Sequence, residues 1–345
     1  MQLRKIQAHP TRKYLDTGRL RVAYHAAGTP GTKKLLLLHG NLSSSVFFLP
    51  LFPLLEKEYE IAAPDLRGFG DTEALPIDAT RGYRDWSDDA ASFVKALGWR
   101  SFSVLGWSMG GNVAMQMAAD HGGPIRKLAL LAPGSPYGFG GTRGAEGTLL
   151  QPPGLGSGGG CANPTLVAMA AAGSRLFLRD VLRKYYFRAP FRLNWSWENR
   201  FIEEIAKTRV GVDAYPGDYV YAEKWPHVLP GTRGVLNAMS PVYGDQRAFL
   251  ELERKPPVLW IRGEDDIIVS DRSLMEFGYL GQTGMVGGWP GEEEYPPQPM
   301  VTQTAGFFDR YAEAGGSVER KVMPGGHMCA LEHPETFVTI LKEFL

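Results

Sequence analysis

The seven residues Leu105-Gly106-Trp107-Ser108-Met109-Gly110-Gly111 constrain the fold more than any other stretch of the chain. A short, largely apolar run at residues 102–105 leads into them, and a helix-length amphipathic segment at 109–120 leaves them. A serine with glycine two positions before and two after, set between a buried strand and a helix, reads as a sharp strand-to-helix turn. Such a turn strains the backbone at the serine, and the small flanking residues relieve the crowding. It lifts the hydroxyl above the end of a sheet, while the N-terminus of the following helix offers positive potential to an oxyanion. Glycine fills 42 of the 345 positions, so Gly-x-Ser-x-Gly can arise by chance; its place between strand and helix makes it specific.

On either side of this turn, short apolar runs alternate with helix-length amphipathic segments. That is the pattern of a mostly parallel α/β sheet covered on both faces. Strands are predicted at residues 35–38, 61–63, 102–105, 128–131, 258–261 and 318–322. An antiparallel pair at 13–16 and 20–26 precedes them, turning at Thr17-Gly18-Arg19. Helices are predicted at 86–97, 109–120, 304–314 and 334–345, the third stopped by Gly315-Gly316.

The rhythm breaks between about residues 134 and 255. There the strand signal vanishes, and a Gly/Pro-rich stretch at 134–160 leads into helix-like segments from 165 to 210. The chain therefore reads as a core made of 1–134 and 256–345, with a mainly helical cap at 135–255. A second irregularity, 278–299, is rich in Gly and Pro and carries Glu292-Glu293-Glu294. A loop of that length within a compact domain is either functional or disordered. We expect it to rim a pocket and to govern substrate access.

Composition narrows the partners. The 37 basic and 37 acidic residues cancel, and no basic run suggests nucleic acid. Residues 1–14 are polar and charged, and the longest apolar runs fall well short of the roughly 20 residues that span a bilayer. A soluble, cytoplasmic protein with a small-molecule substrate and no membrane partner is expected. Two cysteines, Cys161 and Cys329, fit free thiols in a reducing compartment. Histidines and cysteines show no metal-ligand spacing, and the glycine-rich 134–160 stretch lacks either nucleotide-binding signature, so no metal and no cofactor are expected. Homo-oligomer formation is left open.

Three motifs in order, each after a strand, carry a resemblance: Leu38-His39-Gly40-Asn41, then Asp65-Leu66-Arg67-Gly68-Phe69-Gly70, then the Ser108 turn. Together they resemble the α/β-hydrolase fold family in its capped branch, which includes esterases, lactonases, carbon–carbon hydrolases, dehalogenases and epoxide hydrolases. The resemblance spans nearly the whole chain outside the cap. It implies a mostly parallel eight-stranded sheet flanked by helices, an acid at a later strand end, and a histidine near the C-terminus.

In Gly263-Glu264-Asp265-Asp266 the family's spacing after the glycine selects Asp266, with Asp265 as runner-up; Ala132-Pro133-Gly134-Ser135-Pro136, one strand earlier, offers no carboxylate. His327, in Pro324-Gly325-Gly326-His327 after the last strand, matches the family's base. His39 is expected to be structural, His333 to cap or pack at a helix start, and His9, His25, His121 and His227 to be ordinary surface or packing residues. The implied triad is Ser108, Asp266 and His327. The implied oxyanion donors are the backbone N–H groups of Asn41 and Met109, with Leu42 as an alternative to Asn41. Asp65 and Arg67 are expected to brace loops.

Dehalogenases and epoxide hydrolases of this family place an aspartate at the turn, so Ser108 speaks against both activities. The expected function is hydrolysis of a carboxylic ester or lactone of a small to medium apolar substrate through an acyl-enzyme on Ser108. Carbon–carbon bond hydrolysis with the same triad is the alternative, and a non-catalytic ligand-binding relative is a third reading. Aromatic residues crowd the cap, namely Phe177, Tyr185, Tyr186, Phe187, Phe191, Trp195, Trp197 and Phe201, with Tyr215, Tyr219, Tyr221 and Trp225 following. Sequence leaves open whether they line a pocket or fill the cap's own core. The accompanying Arg175, Arg179, Arg183, Arg188 and Arg192 are expected on a solvated face.

Overall fold

The computed structural model describes residues 10–345; His9 and the first nine positions of the polar 1–14 segment lie outside the described residues. One eight-stranded sheet organises the chain. Its strands are β1 Lys13–Asp16, β2 Arg21–Ala27, β3 Lys33–Leu38, β4 Tyr59–Pro64, β5 Phe102–Trp107, β6 Ile125–Leu131, β7 Val258–Gly263 and β8 Val318–Met323. The spatial order is β1-β2-β4-β3-β5-β6-β7-β8. The first two strands run antiparallel to their neighbours, and the remaining contacts are parallel. All eight predicted strands are present, within three residues at each end.

Strand burial follows position in the sheet. Leu35–Leu38 of β3, all of β5, and Leu128–Leu131 of β6 are buried, as strands covered on both faces must be. The last strand, β8, keeps Glu319, Arg320 and Lys321 exposed. Charge on an edge strand discourages pairing with another chain. Helices α1 Arg84–Ala96 and α2 Met109–His121 cover the central strands, and the later helices of the core begin at Met300 and Pro334. The helix at Met300 starts four residues earlier than the apolar pattern suggests. Gln303, in that first turn, is fully buried and bonded to Thr142 and Gly144, so a polar residue stands where an apolar one was expected.

Residues 135–255 add no strand to this sheet. Their α- and π-helical segments are α3 Pro164–Ala171, α4 Arg175–Val181, a π-helical turn at Leu182–Tyr186, α5 Trp195–Ile205 and one turn at Val235–Ala238. Asn163 and Asn194 cap α3 and α5 by accepting from backbone N–H groups of their first turns. Apart from the main sheet, three two-stranded ribbons pair residues 142–149, 210–216 and 219–230, which the sequence did not signal. Strands of two or three residues are too short for alternation to show.

The 278–299 stretch is held in place rather than left loose. It opens with a helix at Phe277–Gln282, and its Tyr295 packs with Leu150, Leu155 and Ala222 in a satellite core. No helix of the described residues is long and apolar enough to cross a membrane.

Candidate active site

Because β3 to β8 run parallel, the loops after their last residues lie along one edge of the sheet. Four of those loops carry the residues singled out above: Asn41 after β3, Ser108 after β5, Asp266 after β7 and His327 after β8. A crevice at the carboxyl ends of parallel strands is the usual place for a ligand in an open α/β sheet.

Ser108 occupies a conformation that side chains avoid, with φ 53° and ψ −126°. Its N–H donates to the Leu131 carbonyl at 2.9 Å, and its carbonyl accepts from the Gly111 N–H at 2.8 Å. The flanking glycines are required by contact. A Cβ on Gly106 would lie 2.3 Å from the Gly110 carbonyl oxygen, and one on Gly110 would lie 2.1 Å from that of Leu38. On the facing loop, a Cβ on Gly40 would lie 2.8 Å from the Ser108 Cβ. The motif thus brings three backbone segments to within touching distance of one serine.

His327 is 2% exposed, and its Nδ1 lies 2.8 Å from Asp266 Oδ2. An ionised carboxylate only accepts, so Nδ1 carries the proton and Nε2 keeps its lone pair. Asp266 Oδ1 accepts from the Ile268 and Val269 N–H groups at 2.8 and 3.0 Å, which fixes the carboxylate plane. Asp265, one residue away, points outward and pairs with Arg188 at 2.9 Å. Ser108 and His327 line the same cavity. The sequence-derived trio therefore converges, with Asp266 rather than Asp265 on the histidine.

The two backbone N–H groups expected to face an oxyanion are also held. His39 is fully buried; burial pushes its imidazole down, and its Nε2 accepts from the Leu66 N–H at 2.8 Å. Its Nδ1 and the Ser43 hydroxyl both bond the Gly40 carbonyl, at 2.8 and 2.7 Å. Carbonyl and N–H point opposite ways across a trans peptide, so fastening the Gly40 carbonyl aims the Asn41 N–H away from it. Met109 begins α2, where N–H groups have no intrahelical acceptor. Among the described residues neither N–H has another acceptor, whereas the Leu42 N–H is taken by Asn41 Oδ1 at 3.0 Å. That contact disfavours Leu42 as a donor.

Asp65 and Arg67 do brace loops. Asp65 accepts from Ser45 N–H and hydroxyl and from the Asp71 N–H. Arg67 forms a two-pronged pair with Asp89 and reaches the Pro76 carbonyl. His25 is buried against Ser45, His121 pairs with Asp88, and His227 stacks on Tyr221. His333 departs from expectation: it holds the N-cap position of the last helix, but its exposed side chain caps nothing.

The cavity has a volume of about 430 Å³ and is roofed by residues 156–186. Phe177, Tyr185, Tyr186 and Tyr215 line it, while Phe187, Trp197 and Phe201 are packed into the core and Trp195, Tyr219 and Tyr221 face solvent. The aromatic cluster therefore serves both ends. Leu280, Met285 and Val286 of the 278–299 stretch form part of the wall. Arg175, Arg179, Arg183 and Arg188 pair with the chain's own Glu203, Glu198, Glu264 and Asp265, and none lines the cavity.

Two site features escaped the sequence. Glu332 accepts from the Gly326 and Arg188 N–H groups at 2.7 and 3.2 Å, fastening the His327 loop to the roof. Trp107, adjacent to the serine, donates from Nε1 to the His327 carbonyl at 3.1 Å. A buried carboxylate five residues after His327 was the only signal available for the first. Cys161 lines the cavity and Cys329 is buried behind His327; both are free thiols whose burial pushes them up.

Residues 33–158 match the family model described as the alpha/beta hydrolase fold. A fluoroacetate dehalogenase from Burkholderia sp is 30% identical over 123 residues, which is 35% of this chain and 40% of that protein. A pimeloyl-[acyl-carrier protein] methyl ester esterase from Neisseria meningitidis serogroup C is 37% identical over 101 residues, 29% of this chain and 36% of that one. The matched stretches thus span less than half of these relatives. Carboxylesterase CesB from Bacillus subtilis, at 15% identity, shares the fold across 98% of this chain and 92% of its own, with a TM-score of 0.57. Sheet order, the Ser108 turn and these matches agree: the chain has the α/β-hydrolase fold, and its residues 33–158 resemble that family.

Proposed function

We propose that this chain is a serine hydrolase that cleaves a carboxylic ester or lactone of a small to medium, largely apolar substrate. The observation that carries the reading is the 2.8 Å bond between His327 Nδ1 and Asp266, made in a cavity that Ser108 also lines. A serine hydroxyl is a weak nucleophile near neutral pH, and a histidine with a free Nε2 is the base it needs. Ser108 Oγ attacks the ester carbonyl as His327 takes its proton. The imidazolium returns that proton to the leaving alcohol, and Asp266 stabilises the charged ring without itself accepting the proton. The Asn41 and Met109 N–H groups face the developing oxyanion; losing one such donor typically costs about 3 kcal/mol in the barrier. Water then releases the acyl group by the same steps in reverse.

The relatives supply context of both kinds, an esterase and a dehalogenase by name. Serine at the turn, rather than a carboxylate, favours the acyl-transfer route. Residues 135–255 act as the lid of this site and 278–299 as a wall governing entry, a division supported by the cavity lining. The test is hydrolysis of p-nitrophenyl esters from acetate to decanoate by wild type and Ser108→Ala. Turnover lost in the variant, with a preference for short or medium chains, is expected. Equal turnover by both would contradict the reading, and no turnover by a folded wild type would redirect it to carbon–carbon bonds.

A further inference from the structure

One residue of the roof touches both halves of the site. Lys184, Tyr185 and Tyr186, in succession within the π-helical turn at Leu182–Tyr186, all line the cavity. Tyr186 is 5% exposed. Its hydroxyl donates to the Leu42 carbonyl at 3.0 Å and lies 3.3 Å from that of Asn41. Its own carbonyl accepts from the Met328 N–H at 2.9 Å, immediately after His327. Its ring meets Trp107 edge-on at 5.7 Å and His327 at 6.4 Å.

The hydroxyl contact falls on a strained segment. Leu42 has φ 49°, a left-handed conformation that a branched side chain avoids. His39 and Ser43 fasten the peptide before Asn41, and the Tyr186 hydroxyl fastens the Leu42 carbonyl that follows. Burial raises the phenol far above its ordinary value, so it remains a donor across the working pH range.

We propose that Tyr186 is a positioning residue for the acyl-transfer reaction: its hydroxyl holds Leu42 in the left-handed conformation that keeps the Asn41 N–H aimed at the oxyanion. Through it, seating of the 164–205 segment and assembly of the oxyanion hole become one event. This rests on the serine-hydrolase reading and adds to it a residue that never touches the reacting atoms.

The experiment uses Tyr186→Phe, which keeps the ring and removes the hydroxyl, on the p-nitrophenyl ester that wild type turns over best. Misplaced donors act on the transition state more than on the bound ester, so kcat should fall about tenfold or more while KM stays within about twofold. Glycine adopts a left-handed φ without strain. Adding Leu42→Gly to Tyr186→Phe should therefore return at least about threefold of the lost kcat, a rescue that a packing role would not show. Wild-type kcat in Tyr186→Phe, a change confined to KM or to thermal stability, or failure of the double variant to recover kcat overturns the proposal while Ser108-dependent turnover keeps the hydrolase reading. Absence of Ser108-dependent turnover in wild type overturns both.

Discussion

Gly263, the last residue of β7, lies so close beneath Gly326 that a Cβ on it would sit 2.2 Å from the Gly326 carbonyl oxygen. The strand that presents Asp266 and the loop that presents His327 thus meet backbone to backbone, with no side chain between them. The contact sets the distance across which Asp266 Oδ2 and His327 Nδ1 bond.

Gly263→Ala should push the His327 loop outward. We expect kcat/KM to fall on the order of a hundredfold, since a displacement of about 1 Å in a catalytic group has effects of that size. Steady-state kinetics on a p-nitrophenyl ester, with circular dichroism to confirm folding, make the check. A variant with wild-type rates would show that the loop is not held by this contact.

The two adjacent aspartates should separate cleanly. Asp266→Asn keeps the shape, but the Ile268 and Val269 N–H groups hold its amide oxygen and turn the NH2 donor toward Nδ1, so the histidine tautomer is lost and kcat should drop about 10⁴-fold. Asp265→Asn breaks only a partly exposed pair with Arg188, and its kcat should stay within about twofold. Kinetics that rank them the other way would move the acid to Asp265.

Glu276 gives the stability a pH signature. It is 3% exposed, its oxygens accept from the Gly278 and Tyr279 N–H groups, and no cation pairs with it among the described residues. Burial pushes its carboxyl up to about 7, although hydrogen bonds from Tyr279, Gly278 and Gln298 pull it down; Cys161 and Tyr295 are its titratable neighbours. The folded protein therefore holds this proton to higher pH than the unfolded chain does. The resulting stability is present below pH 4.5 and is lost as pH rises to about 7. His25 works in the opposite sense: burial lowers it to about 4, so its contribution is lost as pH falls. Comparing wild type with Glu276→Gln isolates the first effect. Relative to the variant, wild type should be more stable at pH 5 than at pH 8 by on the order of 2–3 kcal/mol in urea unfolding. The same difference at both pH values would count against a proton held by Glu276.

Lys184 is, apart from His327, the only basic side chain lining the cavity, and no acid lines it among the described residues. Charge at the rim is screened, worth about 1 kcal/mol for each sign. Lys184→Glu should therefore shift the kcat/KM ratio of an anionic-chain ester to a neutral one by about thirtyfold against the anionic ester. The shift should shrink in high salt. A ratio that does not move would place Lys184 outside the substrate's reach.

The sheet was legible in the sequence because buried parallel strands are short apolar runs, and the loops after four of them carry the site. Serine, histidine and the glycines around them were legible for the same reason, since close approach leaves room for nothing larger. Which of Asp265 and Asp266 faces the histidine was set by family spacing, and the side-chain directions agree with it. Tyr186 stood unresolved among a dozen aromatics, because a five-residue π-helical turn is too short for an apolar period to show. The packing of 278–299 was hidden for another reason. Its order comes chiefly from Tyr295, which packs with Leu150, Leu155 and Ala222 of distant segments, contacts that local composition does not encode.

If Ser108 is the nucleophile, it can be captured covalently. Wild type and Ser108→Ala would be incubated with a p-nitrophenyl alkylphosphonate, a mimic of the tetrahedral intermediate, and their intact masses measured. Wild type should carry one phosphonyl adduct per chain, mapped by peptide mass to Ser108, and the variant none. An unmodified wild type, or an adduct that persists in Ser108→Ala, would contradict Ser108 as the nucleophile.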